Sequence, residues 1–301
     1  QRKNDLMTIR IGANPICWSN DDLPRIGGWI SLEQCLSEAR AFGIAGMELG
    51  HKFPRQPELL GPILRSYGLA LVSGWYSTFL SERSATEEFR AARTHRHLLK
   101  SLGAKVLIAA ECAGTVHGDI KAPLSTRPTL DRAGWARFCK NLSAFARMIR
   151  DEDGLALVYH HHMGTVIQNG GEIDRLMDGT DDTVKLLLDT GHATWAGDSP
   201  LRLAHAYRTR IKHVHCKDVR LEIKAKAEAK DWSFLRAVLA GVYTVPGDGA
   251  VDYVSIFKAL KGYSGWVVLE AEQDIKIAPP EKYVPLGIRN MKRFLRLAGL
   301  A

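Results

Sequence analysis

Four stretches of the chain concentrate side chains able to bind a metal or move a proton, and each follows an apolar run. LALVYHHHMGT places His160, His161 and His162 in succession, and VKLLLDTGH ends in Asp189 and His192. IKHVHCKD carries His213, His215, Lys217 and Asp218, and GWVVLEAEQD carries Glu270, Glu272 and Asp274. A mixed oxygen and nitrogen set such as Asp189, His215 and Glu270 suits a divalent ion that keeps open positions for substrate. Carboxylate-rich donors of this kind favour Mn, Co or Mg over a closed structural zinc. Alternate residues of a strand share a face, so His160 and His162 point one way and His161 the other. The first two can bind metal, donate a proton or hold a polyhydroxylated ligand, whereas His161 reads as a satisfied polar residue.

These stretches belong to a longer series. Short apolar runs recur eight times, as TIRIGAN, GMELG, LALVSGW and KVLIAAE before the four already quoted. Amphipathic stretches such as SLEQCLSEARAFG, QPELLGPILRSYG, TEEFRAARTHRHLLKSLG and RAGWARFCKNLSAFARMIRDEDG lie between them, several ending in a glycine suited to a helix C-cap. Eight strand–helix repeats in a chain of this length predict a (β/α)8 TIM barrel, with continuous apolar strands covered on both faces. A doubly wound sheet is the alternative, but no G-x-G-x-x-G follows any strand. Residues 220–249 read as an enlarged loop after the seventh strand, with a short helix at KDWSFLRAVLAG.

A barrel of this type carries its active site at the C-terminal strand ends. The earlier strands contribute Asn14, Trp18, Ser19 and Asn20, then Glu48, His51 and Lys52, then Trp75 and Glu111. Simpler structural readings stand beside these. Asp189 can cap the next helix, Glu270 can pair with an arginine, and Glu48 can hold Lys52 from a second layer. Trp18 and Trp75 read as pocket walls, and Cys112 and Cys216 as packing residues.

The 301 residues show no composition break and read as one domain, 1–301. Five scattered cysteines without a C-x-x-C pair suggest reduced thiols and a cytoplasmic location. No apolar run is long enough to span a membrane, and QRKNDLMTIR lacks the apolar region of a signal peptide. The formal charge of +8 is spread along helical stretches, so no nucleic-acid partner is expected. A homo-oligomer fits the sequence as well as a monomer does.

The segments NPICWSNDDLP, ELGHKFP, YHHHMGT, LLLDTGH, HVHCKDVR and GWVVLEAEQD resemble the inosose dehydratase family, part of the larger group of xylose-isomerase-like barrels. The resemblance runs from residue 9 to about residue 293, and NPICWSNDDLP and YHHHMGT are its most specific parts. It implies a Mn- or Co-assisted lyase, with Mg or Zn as alternatives, acting on a small keto-polyol, 2-keto-myo-inositol. In the wider group a Glu, an Asp, a His and a Glu after strands five to eight hold the ion. Asp189, His215 and Glu270 match the last three. Strand five offers histidines instead of Glu, so the fourth donor is His160, His162, Glu111 or water.

Removing water from a β-hydroxy ketone requires a base for the α-proton, stabilisation of the enolate oxygen and an acid for the departing hydroxyl. Lys217, Glu48 and Glu272 are the base candidates, and His160, His162 and His192 the acid candidates. Asn14, Trp18, Ser19, Lys52, Trp75, Glu111, His192, Asp218 and Glu272 are the expected substrate contacts. Participation of a thiol such as glutathione is left open. Rival readings are a keto-sugar isomerase or epimerase on the same barrel, a barrel nuclease for damaged DNA, and a non-enzymatic scaffold.

Overall fold

The computed structural model describes residues 9–300. Thr8 of the first apolar run and most of the stretch read above for a leader lie outside them. The strands are β1 (Ile9–Ala13), β2 (Gly46–Met47), β3 (Ala70–Leu71), β4 (Trp75–Thr78), β5 (Val106–Glu111), β6 (Ala156–His160), β7 (Val184–Asp189), β8 (Ile211–Cys216), β9 (Asp218–Val219), β10 (Tyr243–Thr244) and β11 (Gly265–Leu269). The helices are α1 (Leu32–Ala41), α2 (Pro57–Ser66), α3 (Ala85–Ala91), α4 (Arg93–Ser101), α5 (Arg132–Asp153), α6 (Gly170–Gly179), α7 (Thr190–Trp195), α8 (Pro200–Ala206), α9 (Leu221–Ala229), α10 (Phe234–Leu239), α11 (Tyr253–Ala259) and α12 (Pro280–Leu297).

The main sheet runs β3-β2-β1-β11-β8-β7-β6-β5-β4, and every pairing in it is parallel. Its two ends, β3 and β4, are successive pieces of one run, residues 70–78. The sheet therefore closes on itself as the eight-stranded barrel, which excludes the open doubly wound alternative.

Local chemistry fixes the element ends. Ser84 with Glu87, and Asn169 with Glu172, form capping boxes at the starts of α3 and α6. Gly154 closes the long α5 at φ 67°, a left-handed conformation that glycine adopts without a Cβ penalty. The stretch TEEFRAARTHRHLLKSLG, expected as one helix, is two, divided at Ala92.

Strand alternation divides the barrel into two layers. Val106, Ile108, Val158 and Leu187 pack together inside it, as do Val72, Trp266 and Val268. Outward residues such as Leu107, Leu157 and Tyr159 join the strand–helix layer, where Tyr159 meets Phe138 of α5. The inward parity continues past the apolar layers to His160 and His162 on one side and to Asp189, His215 and Glu270 on the others.

The insertion after β8 has more structure than expected. It holds α9 as well as the expected short helix α10, and an antiparallel ribbon of β9 with β10. Phe234, Tyr243, Trp195 and Met163 form a separate small core that binds this insertion to the barrel top.

Candidate active site

Four donors from four successive strands converge. One ligand atom each from His160, Asp189, His215 and Glu270 lies within 4.8 Å of the others, and all four residues are buried. Of the residues left open above as fourth donor, the structure brings His160 to the other three. Its Nε2 lies 3.2 Å from His215 Nδ1 and 3.5 Å from Asp189 Oδ2.

Asp189 serves two purposes. Its Oδ1 accepts hydrogen bonds from Gly191 N–H and His192 N–H, both at 2.8 Å, and so caps α7. Its Oδ2 is buried without a hydrogen-bond partner, as is Glu270 Oε2, and both face the cluster. The expected arginine partner of Glu270 is absent among the described residues; it meets His215 and, at 3.3 Å, Lys217 Nζ. Buried carboxylate oxygens without donors call for a cation, and the donor set fits a divalent ion.

Glu48 lies behind His215. Its Oε1 accepts from His213 Nε2–H at 2.7 Å and His215 Nε2–H at 3.0 Å, while Oε2 accepts from Asn14 Nδ2–H at 2.8 Å. Burial opposes its charge, but His215 and the hydrogen bonds from both imidazoles hold Glu48 well below the usual carboxylate range. With its proton on Nε2, His215 turns the Nδ1 lone pair to the cluster. Three N–H groups thus occupy the oxygens of Glu48, named above as a base candidate. It does not hold Lys52.

Beside the four donors sits Lys217, fully buried. Its Nζ lies 2.7 Å from Glu272 Oε1 and 3.1 Å from His192 Nε2, above the Tyr243 ring at 4.6 Å. Burial works against the charge, yet Glu270, Glu272 and Asp189 outweigh it and hold the ammonium above the usual lysine range. The stem passes over Gly191, where an added Cβ would stand 2.6 Å from Lys217 Cγ, so the glycine of D-T-G-H makes room for the lysine. Lys217, named above as a base candidate, is thus held as a charged ammonium. Burial raises Glu272 to about 7 despite Lys217.

His162 takes the complementary role. Its Nδ1–H donates to the Met163 carbonyl at 2.7 Å, so Nε2 presents a lone pair. Burial, with His117 and His160, pushes its pKa well below the ordinary range. Burial likewise lowers His160 and His192. A neutral imidazole whose only N–H is already used has no proton left to offer the cavity, and His162 was named above as an acid candidate. His192 Nδ1 lies 3.1 Å from Met163 N and 2.9 Å from the Tyr243 hydroxyl.

A cavity of about 220 Å³ opens onto these groups, lined by Asn14, Trp75, His117, His162, Glu270 and Glu272, with Asp21, Asp22 and Arg55 also on its wall. Trp75 packs edge-on against His160 and His162.

Five expected substrate contacts are put to structural use elsewhere. Trp18 donates its indole N–H to Glu38 at 2.7 Å and, with Ser19, lines a small crevice beside α1. Lys52 Nζ holds the carbonyls of Gly27 at 2.7 Å and Ile30 at 2.5 Å, pinning the β1–α1 loop. Glu111 has the outward parity on β5 and accepts from Thr78, Leu80 and Ser81. Asp218, also outward, accepts from the N–H groups of Val219, Gly247 and Val251. Among the other strand-end residues, His51 pairs with Asp21 at 2.6 Å, and His161 faces outward, its Nε2 accepting Asp189 N–H at 3.3 Å. Cys112 and Cys216 are buried, and burial raises both thiols, Cys112 to about 11.

Sequence reading missed His117 and Tyr243. His117 comes from the loop after β5 and Tyr243 from β10 of the insertion, both outside the strand-end frame, and nothing in their local sequence marks them.

The family model of the xylose isomerase-like TIM barrel matches residues 36–294. The chain is 46% identical over 299 residues to the rhizopine catabolism protein MocC of Rhizobium meliloti, covering 99% of this chain and 92% of that protein. It is 43% identical over 279 residues to an inosose dehydratase of Geobacillus thermodenitrificans, covering 91% and 93%. A solved structure of the IolI protein with a bound zinc atom shares the fold, with TM-score 0.63 at 16% identity over 96% of this chain and 98% of that one. A closed parallel barrel with its donors at the C-terminal strand ends, matched along most of its length, makes this chain a member of the xylose isomerase-like TIM barrel family, among relatives that include inosose dehydratases and MocC.

Proposed function

We propose that this chain is an inosose dehydratase, a divalent-cation-dependent carbon–oxygen lyase that removes water from 2-keto-myo-inositol to give a trihydroxycyclohexane dione in inositol catabolism. The observation that carries the reading is the convergence of His160, Asp189, His215 and Glu270 beside His162 and Lys217, in a chain 43% identical to an inosose dehydratase. Those four residues would hold a divalent ion, which would supply polarisation of the ketone and stabilisation of the enolate oxygen. The donor chemistry favours Mn or Co, with Mg or Zn as alternatives.

His162 Nε2 faces the cavity and takes the α-proton. Lys217 donates the proton with which the hydroxyl leaves as water. Asn14, Trp75 and His117 wall the cavity against a ring polyol, and Glu272 holds Lys217. The reading treats the chain as one barrel domain acting in the cytoplasm on a small molecule, without a nucleic-acid or membrane partner. No described helix is long and apolar enough to cross a membrane.

The test is turnover of 2-keto-myo-inositol, followed by diketone absorbance, after chelation and after restoring Mn²⁺. Diketone must appear only with the ion; isomerised substrate without diketone would instead support the isomerase. His162→Ala should lower turnover about 10²–10⁴-fold while Mn²⁺ content stays intact. Turnover within a few-fold of the native rate would remove His162 from the mechanism. The identity to MocC favours a second reading, a role in rhizopine catabolism. Parallel assays on rhizopine and on 2-keto-myo-inositol separate the two.

A further inference from the structure

A second donor group adjoins the first. Ligand atoms of His162, His192 and Glu272 lie within 4.8 Å of one another, all three residues are buried, and the two imidazole rings are 3.8 Å apart. Geometry alone would let these residues take a second divalent ion. Their focus is already claimed by Lys217, whose Nζ lies 2.7 Å from Glu272 Oε1 and 3.1 Å from His192 Nε2.

We infer that the Lys217 ammonium is the built-in second cation of this centre, and that it restricts the chain to one divalent ion by occupying the His162–His192–Glu272 group. The inference rests on the reading that the first ion sits at His160, Asp189, His215 and Glu270.

Charge balance supports it. Four carboxylates are buried around the centre: Glu48, Asp189, Glu270 and Glu272. Three N–H donors meet Glu48. The other three negative charges are matched by a dication and an ammonium. A second dication with Lys217 in place would set five positive charges against four carboxylates in a buried site, which is costly. Packing points the same way. Gly191 leaves the space for the lysine stem, and the Tyr243 ring lies under its charge.

The test is Mn²⁺ stoichiometry by titration calorimetry, with electron paramagnetic resonance to detect a coupled ion pair. The native chain should take one ion, and Lys217→Met two. Lys217→Met combined with His192→Ala should return to one. Two ions in the native chain, one in a folded Lys217→Met, or two in the double variant would overturn the inference and leave the first site standing. No ion in the native chain would overturn the four-residue site, and the role of Lys217 with it. Glu272→Gln gives an independent readout should Lys217→Met not fold. The ammonium, freed of its carboxylate, should weaken the first ion about 10–100-fold, the range for outer partners of a metal site. Unchanged affinity there would also overturn the inference.

Discussion

Glu48 is the residue on which the orientation of His215 depends. It receives the Nε2 protons of both His213 and His215, so the proton of His215 is held on the side away from the cluster. Carboxylates behind metal-binding imidazoles fix the tautomer and raise ligand basicity. Glu48→Gln keeps the shape but removes the charge and one acceptor. It should weaken Mn²⁺ binding about 10–100-fold by calorimetry, with little change in helix content. Affinity within two-fold of native would show that His215 is oriented without Glu48. At the same scale, hydrogen bonding and surrounding charge, not residue type, set the state of His162 and of Lys217. The Met163 carbonyl occupies the only proton of His162, and three carboxylates hold Lys217 charged.

Among the elements, the barrel strands set the direction of every donor. Alternation carries Val158 to His160, Leu187 to Asp189, His213 to His215 and Val268 to Glu270, so an inward residue below places an inward donor above. The same rule sends Glu111 and Asp218 outward, each one residue out of step with the inward set. The lower layer is close-packed around Trp266. A Cβ on Gly46 would lie 2.7 Å from Trp266 Cη2 and 2.9 Å from the Ala70 carbonyl oxygen. Overpacking of this kind costs about 1–3 kcal/mol. Gly46→Ala should lower the urea midpoint accordingly, with the urea slope unchanged. An unchanged midpoint would mean that β2 and Trp266 move apart freely.

Across the whole molecule, burial of titratable groups ties stability to pH. His95 in α4 is the clearest instance outside the metal cluster. Its Nε2–H donates to the Gly74 carbonyl at 3.2 Å, and burial, aided by Arg55, lowers its pKa to about 4. The unfolded chain returns it to about 6.5. Between these values the unfolded state binds more protons, so stability falls as pH drops from about 6.5 to about 4 and the loss is complete below. The expected loss from this residue is about 2–3 kcal/mol. His95→Gln should flatten the corresponding part of the stability–pH curve. An equally steep slope in the variant would assign the dependence to other groups.

The eight apolar runs, the amphipathic stretches and the positions of Asp189, His215 and Glu270 at strand ends were legible in the chain itself, because strand and helix periods are local properties. So was the enlarged segment after β8, though not the ribbon of β9 with β10, whose pairing joins residues far apart in sequence. Strand parity on β5 and β8 would also have placed Glu111 and Asp218 outside the barrel. Only the closed barrel could bring His160 to Asp189, His215 and Glu270, put Glu48 behind His215, send Lys52 to the β1–α1 loop and bring Tyr243 under Lys217. Periodicity along a strand says which way a side chain points. What it meets there depends on neighbouring strands, and their relative stagger is settled when the sheet closes.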